Sequence, residues 1–227
     1  MIVAALQGAL RSASDFLRQA TGRPTRRASG DRQYLEAELL PALARRPDVC
    51  RVLFVGCARY TRHYEEIFEH AEYWTIDSVR RRRRWGARRH IADRLERLNR
   101  HVPTAFFDLI VCNGVLGWGL DRRSDAEAAF AACDAALRPG GELIVGWNDI
   151  RPRNAVRPDG LESLRRFERA SMAGGSSQVR IDGAHRHVFE FYRKPVADGP
   201  QADSEVGASG VGAHADSVLQ APSTHNS

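Results

Sequence analysis

Gly56 and Asp77 have the types and spacing to hold a nucleotide-like ligand. Gly56 closes the apolar run Val52-Leu53-Phe54-Val55, where the backbone must bend sharply or approach something closely. Asp77 follows some 20 residues later, at the end of the strand-like segment Tyr73–Ile76. At that spacing a carboxylate can accept both hydroxyls of a ribose held over the first strand. A strand-end acid can equally cap the turn that follows it. Asp93 ends the short run His90-Ile91-Ala92, and Asn113-Gly114 ends the run Phe106–Cys112. Farther on, Asn148 and Asp149 follow Glu142–Trp147, and His187 opens the last apolar stretch. Asp149 and His187, with His63 as a third choice, are the candidate acid–base groups; for each, a surface or capping role is the alternative. Trp118 and Trp147, with Asn148, either wall a substrate pocket or belong partly to the core.

These residues need strand ends to hold them. Val52–Val55, Tyr73–Ile76, His90–Asp93, Phe106–Asn113 and Glu142–Trp147 read as buried strands. The segments between them read as helical: Tyr60, Tyr64, Ile67 and Phe68 share one face, Arg94–Asn99 is a brief helix, and Ser124 caps a helix carrying Ala126, Ala129, Phe130, Cys133 and Leu137. Pro139-Gly140-Gly141 ends that helix. Leu161, Leu164, Phe167 and Glu168 suggest one more. Gln178–Ile181 and His187–Tyr192 flank a turn at Asp182-Gly183 and predict a hairpin. Strands alternating with helices indicate an α/β fold with a mostly parallel sheet, closed by this antiparallel hairpin.

Two helices precede the first strand. Residues 2–20 carry an apolar stripe, for packing on the domain edge or for a lid or homodimer contact, and a turn-rich linker follows. The second helix starts with Asp31 as N-cap and ends at Ala44 ahead of Pro47. The expected organisation is N-terminal helices over 1–47, the α/β domain over 48–196 and a disordered tail over 197–227.

Hydrophobic residues make up 43% of the chain, enough for a core, and no apolar run reaches the roughly 20 residues that span a bilayer. The start lacks a secretory pattern, so the expected location is cytoplasmic. The formal charge is +6; residues 197–227 hold four acids and no Lys or Arg, so the rest carries +10. That suits an anionic partner. Lys194 is the one lysine, so the excess is arginine, including the run Arg80–Arg84, which is either a solvated face or a nucleic-acid contact without interleaved aromatics. Cys50, Cys57, Cys112 and Cys133 form no C-x-x-C pair, which points to free buried thiols and no metal site.

In this order and spacing, Val52-Leu53-Phe54-Val55-Gly56-Cys57, Ile76-Asp77, Phe107–Asn113, Leu137-Arg138-Pro139-Gly140-Gly141-Glu142-Leu143 and Phe189–Arg193 resemble a class I S-adenosylmethionine-dependent methyltransferase over about Arg51 to Pro195. The resemblance implies a Rossmann-like seven-stranded sheet with helices on both faces, and S-adenosyl-L-methionine as cofactor. It implies that Gly56, Cys57, Ala58, Tyr60 and Thr61 bound the methionine part and that Asp77 takes the ribose. Asp93 would face the adenine amino group, and Asn113 and Gly114 would lie near the sulfonium. The first loop departs from the family's Gly-x-Gly-x-Gly: Ala58 and Tyr60 stand at the second and third glycine positions. The loop after the fourth strand, Asn113-Gly114-Val115-Leu116, does not match the base-methylating enzymes. A small-molecule acceptor, an anionic or aromatic metabolite, is therefore expected, with loops 114–120 and 150–160 and the N-terminal helices as its lid. The alternatives are an RNA or other nucleic-acid methyltransferase using Arg80–Arg84, and a non-catalytic scaffold of the same fold.

Overall fold

The computed structural model describes residues 29–151, 154–172 and 175–196. The expected first helix, most of the linker and the expected tail lie outside the described residues.

Eight strands form one sheet: β1 (Arg51–Val55), β2 (Glu72–Ile76), β3 (Arg89–Ile91), β4 (Phe107–Asn113), β5 (Leu137–Asn148), β6 (Glu168–Arg169), β7 (Gln178–Ile181) and β8 (His187–Arg193). Their order is β3-β2-β1-β4-β5-β8-β6, and β7 pairs with β8 as well. The first five are parallel to one another, and β8 runs antiparallel to β5 and to both β6 and β7. The β7–β8 hairpin is as expected. Chain direction across the sheet reverses between β1 and β4, the switch point at which ligands bind in open α/β sheets.

The central strands alternate between two cores. Leu53, Val55, Ile110, Cys112, Leu143 and Val145 face one cluster; Val52, Phe54, Leu109, Val111 and Ile144 face the other. Strand side chains point alternately to opposite faces, so a sheet covered on both sides needs apolar residues at every position. On the first face lies α3 (Arg123–Ala136), burying Ala126, Ala129, Phe130, Cys133 and Ala136. Its N-cap is Arg122, with no side-chain cap bond; Ser124 sits inside the first turn and does not cap it. On the second face lies α1, α-helical over Gly30–Tyr34, π-helical over Leu35–Leu39 and α-helical again over Leu40–Ala44. The wide turn has a local cause. Pro41 lacks an N–H and its ring would strike the carbonyl four residues back, and the Leu40 N–H bonds the Leu35 carbonyl instead. Ser29, not Asp31, is the N-cap of this helix.

Other expected helices are shorter than their patterns suggest. After β1 come a 3₁₀ segment, Arg59–His63, and one turn, α2 (Tyr64–Ile67). Arg80–Trp85 and Leu95–Arg100 are also 3₁₀. The expected helix at 161–168 is a 3₁₀ turn, Leu164–Arg166, followed by β6, although Leu161, Leu164 and Phe167 are buried as expected. Pro139-Gly140-Gly141 lies within β5, so the helix ends at Ala136, ahead of this segment. Cys57, Cys112 and Cys133 are buried free thiols, whereas Cys50 is exposed. No helix among the described residues is long and apolar enough to cross a membrane.

Candidate active site

The C-terminal ends of the parallel strands deliver their next residues to one edge of the sheet. Gly56 follows β1, Asp77 follows β2, Asp93 lies just past β3, and Asn113 and Asn148 end β4 and β5. His187 begins the antiparallel β8 opposite Asn148, so it arrives at the same edge. Two clefts lie there and share Gly56, Arg82, Val115 and Trp118. The first, about 900 Å³ with its open mouth, is lined by Cys57, Ala58, Tyr60, Asn113, Gly114, Asn148 and His187 among others. The second, about 560 Å³, holds Asp77 and Asp93.

The turn after β1 is built by backbone requirements. Gly56 has φ +89°, a conformation glycine alone adopts at little cost, and its N–H bonds the Ile76 carbonyl at 2.8 Å. Asp77 ties this turn to the next one. Its carboxylate accepts the Cys57 N–H at 2.8 Å and the Val79 N–H at 2.7 Å, and the Arg82 guanidinium approaches to 3.4 Å. The side chain is only 3% exposed. A carboxylate has about four lone-pair sites, so three donors leave room for a ligand hydroxyl. Thr61 is buried and closes the 3₁₀ segment, its hydroxyl accepting the Ala58 N–H and donating to the Ala58 carbonyl. It shapes the loop and does not line either cleft. Burial, with Asp77 adding to it, pushes the Cys57 thiol up to about 12, so this cysteine is no nucleophile.

Asp93 faces the second cleft and is held by His101 Nε2 at 2.8 Å and its neighbour's N–H, Arg94, at 2.8 Å. The His101 contact, then the Arg94 N–H, keeps its carboxyl below the usual range.

At the other end, His187 is buried between two amides, Nδ1 2.6 Å from Asn148 Oδ1 and Nε2 2.9 Å from Asn113 Oδ1. Burial pushes its pKa down to about 4, against the pull of Asp31 and with His185 adding to the shift. A neutral ring donates through one nitrogen and accepts through the other, so one amide turns its NH₂ to the ring. The Asn113 side chain lies flat on Gly146: a Cβ there would sit 1.9 Å from Asn113 Oδ1.

The linkage sign for His187 is fixed by its lowered pKa. The unfolded chain binds this proton near 6.5 and the folded one near 4, so the contribution is present in full above pH 6.5 and is lost as pH falls from there through 4. It amounts to about 3 kcal/mol. Urea unfolding at pH 7.5 and pH 5 should show a stability loss in the wild type that is visibly smaller in His187→Gln; equal losses would contradict the buried neutral ring.

Two further expected residues lie outside both clefts. Trp147 is buried in the core, its indole N–H donating to Glu190 Oε1 at 3.0 Å, and it lines neither cleft. Asp149 also lies outside both clefts. Burial works against its ionisation, but Arg157 at 2.7 Å, with Arg186 and Arg180, holds it below the usual carboxylate range. The described residues of loop 150–160 line neither cleft, whereas Val115, Trp118, Gly119 and Leu120 do. Sequence reasoning missed Ser29, Asp31, Arg82 and His185, all of which line the first cleft. Arg82 was hidden in its run: its neighbours Arg80, Arg81, Arg83 and Arg84 are exposed, and Arg82 alone of the five turns inward.

No known family profile and no curated protein sequence matches the chain. Solved structures do. The chain is similar to the N-methyltransferase NodS from Bradyrhizobium japonicum in complex with S-adenosyl-L-homocysteine, at 20% identity and a TM-score of 0.56, covering 75% of this chain and 90% of that one. The chain has the fold of the S-adenosylmethionine-dependent methyltransferases. A 1,6-didemethyltoxoflavin-N1-methyltransferase from Burkholderia thailandensis shares this methyltransferase fold at 19% identity and TM-score 0.52, covering 86% of this chain and 89% of that one. So does the [4+2]-cyclase SpnF, at 19% identity and TM-score 0.50, covering 77% and 85%. The methyltransferase fold thus hosts ring formation as well, and the reaction has to be argued from the site.

Proposed function

We propose that this protein transfers a methyl group from S-adenosyl-L-methionine to a small-molecule acceptor by in-line displacement. The observation that carries the reading is the pair of joined clefts across the switch point, with Asp93 and Asp77 at one end and Asn148 and His187 at the other. The neighbours that hold S-adenosylhomocysteine in the same fold support it.

In this reading the bound cofactor supplies an electrophilic methyl group on sulfur. Asp77 accepts a ribose hydroxyl, Asp93 faces the adenine amino group, and Gly56, Cys57, Ala58 and Tyr60 bound the methionine part, with Thr61 holding their loop. Asn113 and Gly114 stand beside the reacting centre. The residues act by position: they align the acceptor and exclude water, which alone supplies a large share of such a rate. His187 locks the amides of Asn113 and Asn148 in place. With both ring nitrogens engaged and Asp149 held by arginines, neither is the proton acceptor. Trp118 walls the acceptor end.

Calorimetric titration tests the reading. Both S-adenosylmethionine and S-adenosylhomocysteine should bind with Kd below about 100 μM, and transfer of labelled methyl to a pooled metabolite extract should be detectable. No heat and no thermal shift with either at millimolar concentration would overturn it.

A further inference from the structure

We propose that His185 is the general base of the transfer, and that the acceptor enters neutral, as a phenol-type hydroxyl or a ring N–H that gives up its proton during attack. This rests on the methyl-transfer reading and deepens it. Six titratable side chains line the first cleft among the described residues: Asp31, Cys57, Tyr60, Arg82, His185 and His187. Four of them are unsuited to taking a proton near neutral pH. Burial, with Asp77 adding to it, pushes the Cys57 thiol up to about 12, and burial raises the Tyr60 phenol as well. Arg82 is a guanidinium, which donates and has no acceptor site. His187 has both ring nitrogens engaged by Asn148 and Asn113, and burial makes it a weak base. Asp31 and His185 remain. An imidazole is a stronger base than a carboxylate and is still largely unprotonated at pH 7.5, which suits it to the task.

The fold holds His185 at the acceptor end. It lies in the turn between β7 and β8, where the Arg186 N–H bonds the Gly183 carbonyl at 3.2 Å and the Arg186 carbonyl accepts the Asp149 N–H at 3.0 Å. Arg186 takes φ +43°, a left-handed conformation that is costly for a non-glycine residue and that clusters at functional sites. The groups around this turn are His187 on β8, Asp31 on α1, and Asp149 with its partners Arg157, Arg180 and Arg186. Asp149 is neutralised by those arginines, whereas Asp31 supplies a negative charge that favours the imidazolium formed on proton transfer. His185 is half-buried, so its ring can return the proton to water. In the transfer, the acceptor's proton passes to the His185 ring and the pair that held it stays on the acceptor atom. A pair on that atom forms the new bond to the methyl carbon as the carbon–sulfur bond breaks, and the pair of the broken bond stays on sulfur.

The test uses the full chain, His185→Ala and Asp31→Asn, with labelled S-adenosylmethionine and a metabolite extract. Wild type and His185→Ala should bind S-adenosylhomocysteine within about twofold of each other, since the change lies at the acceptor end. Wild-type counts should rise with pH along one limb, whose midpoint equals that of the His185 ring in an NMR titration, while the His187 ring stays neutral across the same range. His185→Ala should lose at least tenfold in counts at pH 7.5, lose the limb, and regain at least threefold when imidazole is added. A side chain that only supports the fold would show no such rescue. The limb should persist in Asp31→Asn, and the labelled products should be methylated phenols or N-heterocycles. Undiminished counts in His185→Ala, a loss that imidazole does not rescue, label only in alkylamines, thiols or carboxylic acids, or no counts from the wild type would each overturn the proposal. So would a limb that vanishes in Asp31→Asn and survives in His185→Ala, which would make Asp31 the base. Failure of the wild type to bind S-adenosylhomocysteine at all would instead sink the methyl-transfer reading.

Discussion

Asp77→Ala should abolish measurable S-adenosylhomocysteine binding and lower the melting temperature by about 5 °C or more. Two effects combine. The buried carboxylate satisfies the N–H groups of Cys57 and Val79. Removing it strands two donors at roughly 1–3 kcal/mol each, and leaves the Arg82 guanidinium without its partner. In a domain of this size each kcal/mol is worth about 2–4 °C. In the proposed reading the ribose also loses its acceptor, so binding should weaken by more than the destabilisation accounts for. Calorimetry well below the variant's melting temperature separates the two. A destabilised variant with wild-type affinity would leave Asp77 a structural role and remove its ribose role.

Gly146→Ala should be nearly as damaging, although Gly146 lines neither cleft. The new methyl group would overlap Asn113 Oδ1 and approach His187 Nε2 to 2.9 Å. Asn113 must then swing out of its bond with His187, into the space beside Gly114. Overpacking of this kind costs about 1–3 kcal/mol. The larger loss should be in catalysis, since the proposed reading puts the displaced amide where the two reactants meet: a drop in kcat of at least tenfold with a smaller change in melting temperature. A variant with unchanged kcat would show that Asn113 does not organise the reacting centre.

The strand scaffold was legible because its apolar runs are continuous and end in residues of a different kind. Gly56, Asp77, Asp93 and Asn113 could be placed at one edge of a sheet from spacing alone. The short helices were misjudged for a physical reason: over five or six residues, the periods of an α-helix and a 3₁₀ helix bury nearly the same positions. Trp147 could not be assigned because both faces of β5 are covered, so alternation does not say which side meets a ligand. Asp31 and Arg82 were out of reach. One arrives from a helix that precedes β1, and the other differs from four identical neighbours only in the way it turns.

The wide turn in α1 has a consequence for how this site tolerates change. From Asp31 to Leu43 is twelve residues, which at about 100° each overshoots three full turns by about 120°. The π-helical stretch takes up about one extra residue, so that Leu43 reaches the core while Asp31 still reaches His187. The charge of the cleft is therefore a matter of phase. Straightening residues 35–39 to α-helix at unchanged length would leave Asp31 in the sequence, keep Leu43 on the sheet, and rotate the carboxylate by about 120° off the site, whereas loss of one residue there would remove the wide turn and keep the phase. A straight helix of the same length and one carrying the wide turn would then present different charge to the cleft, with the same side chain present in both.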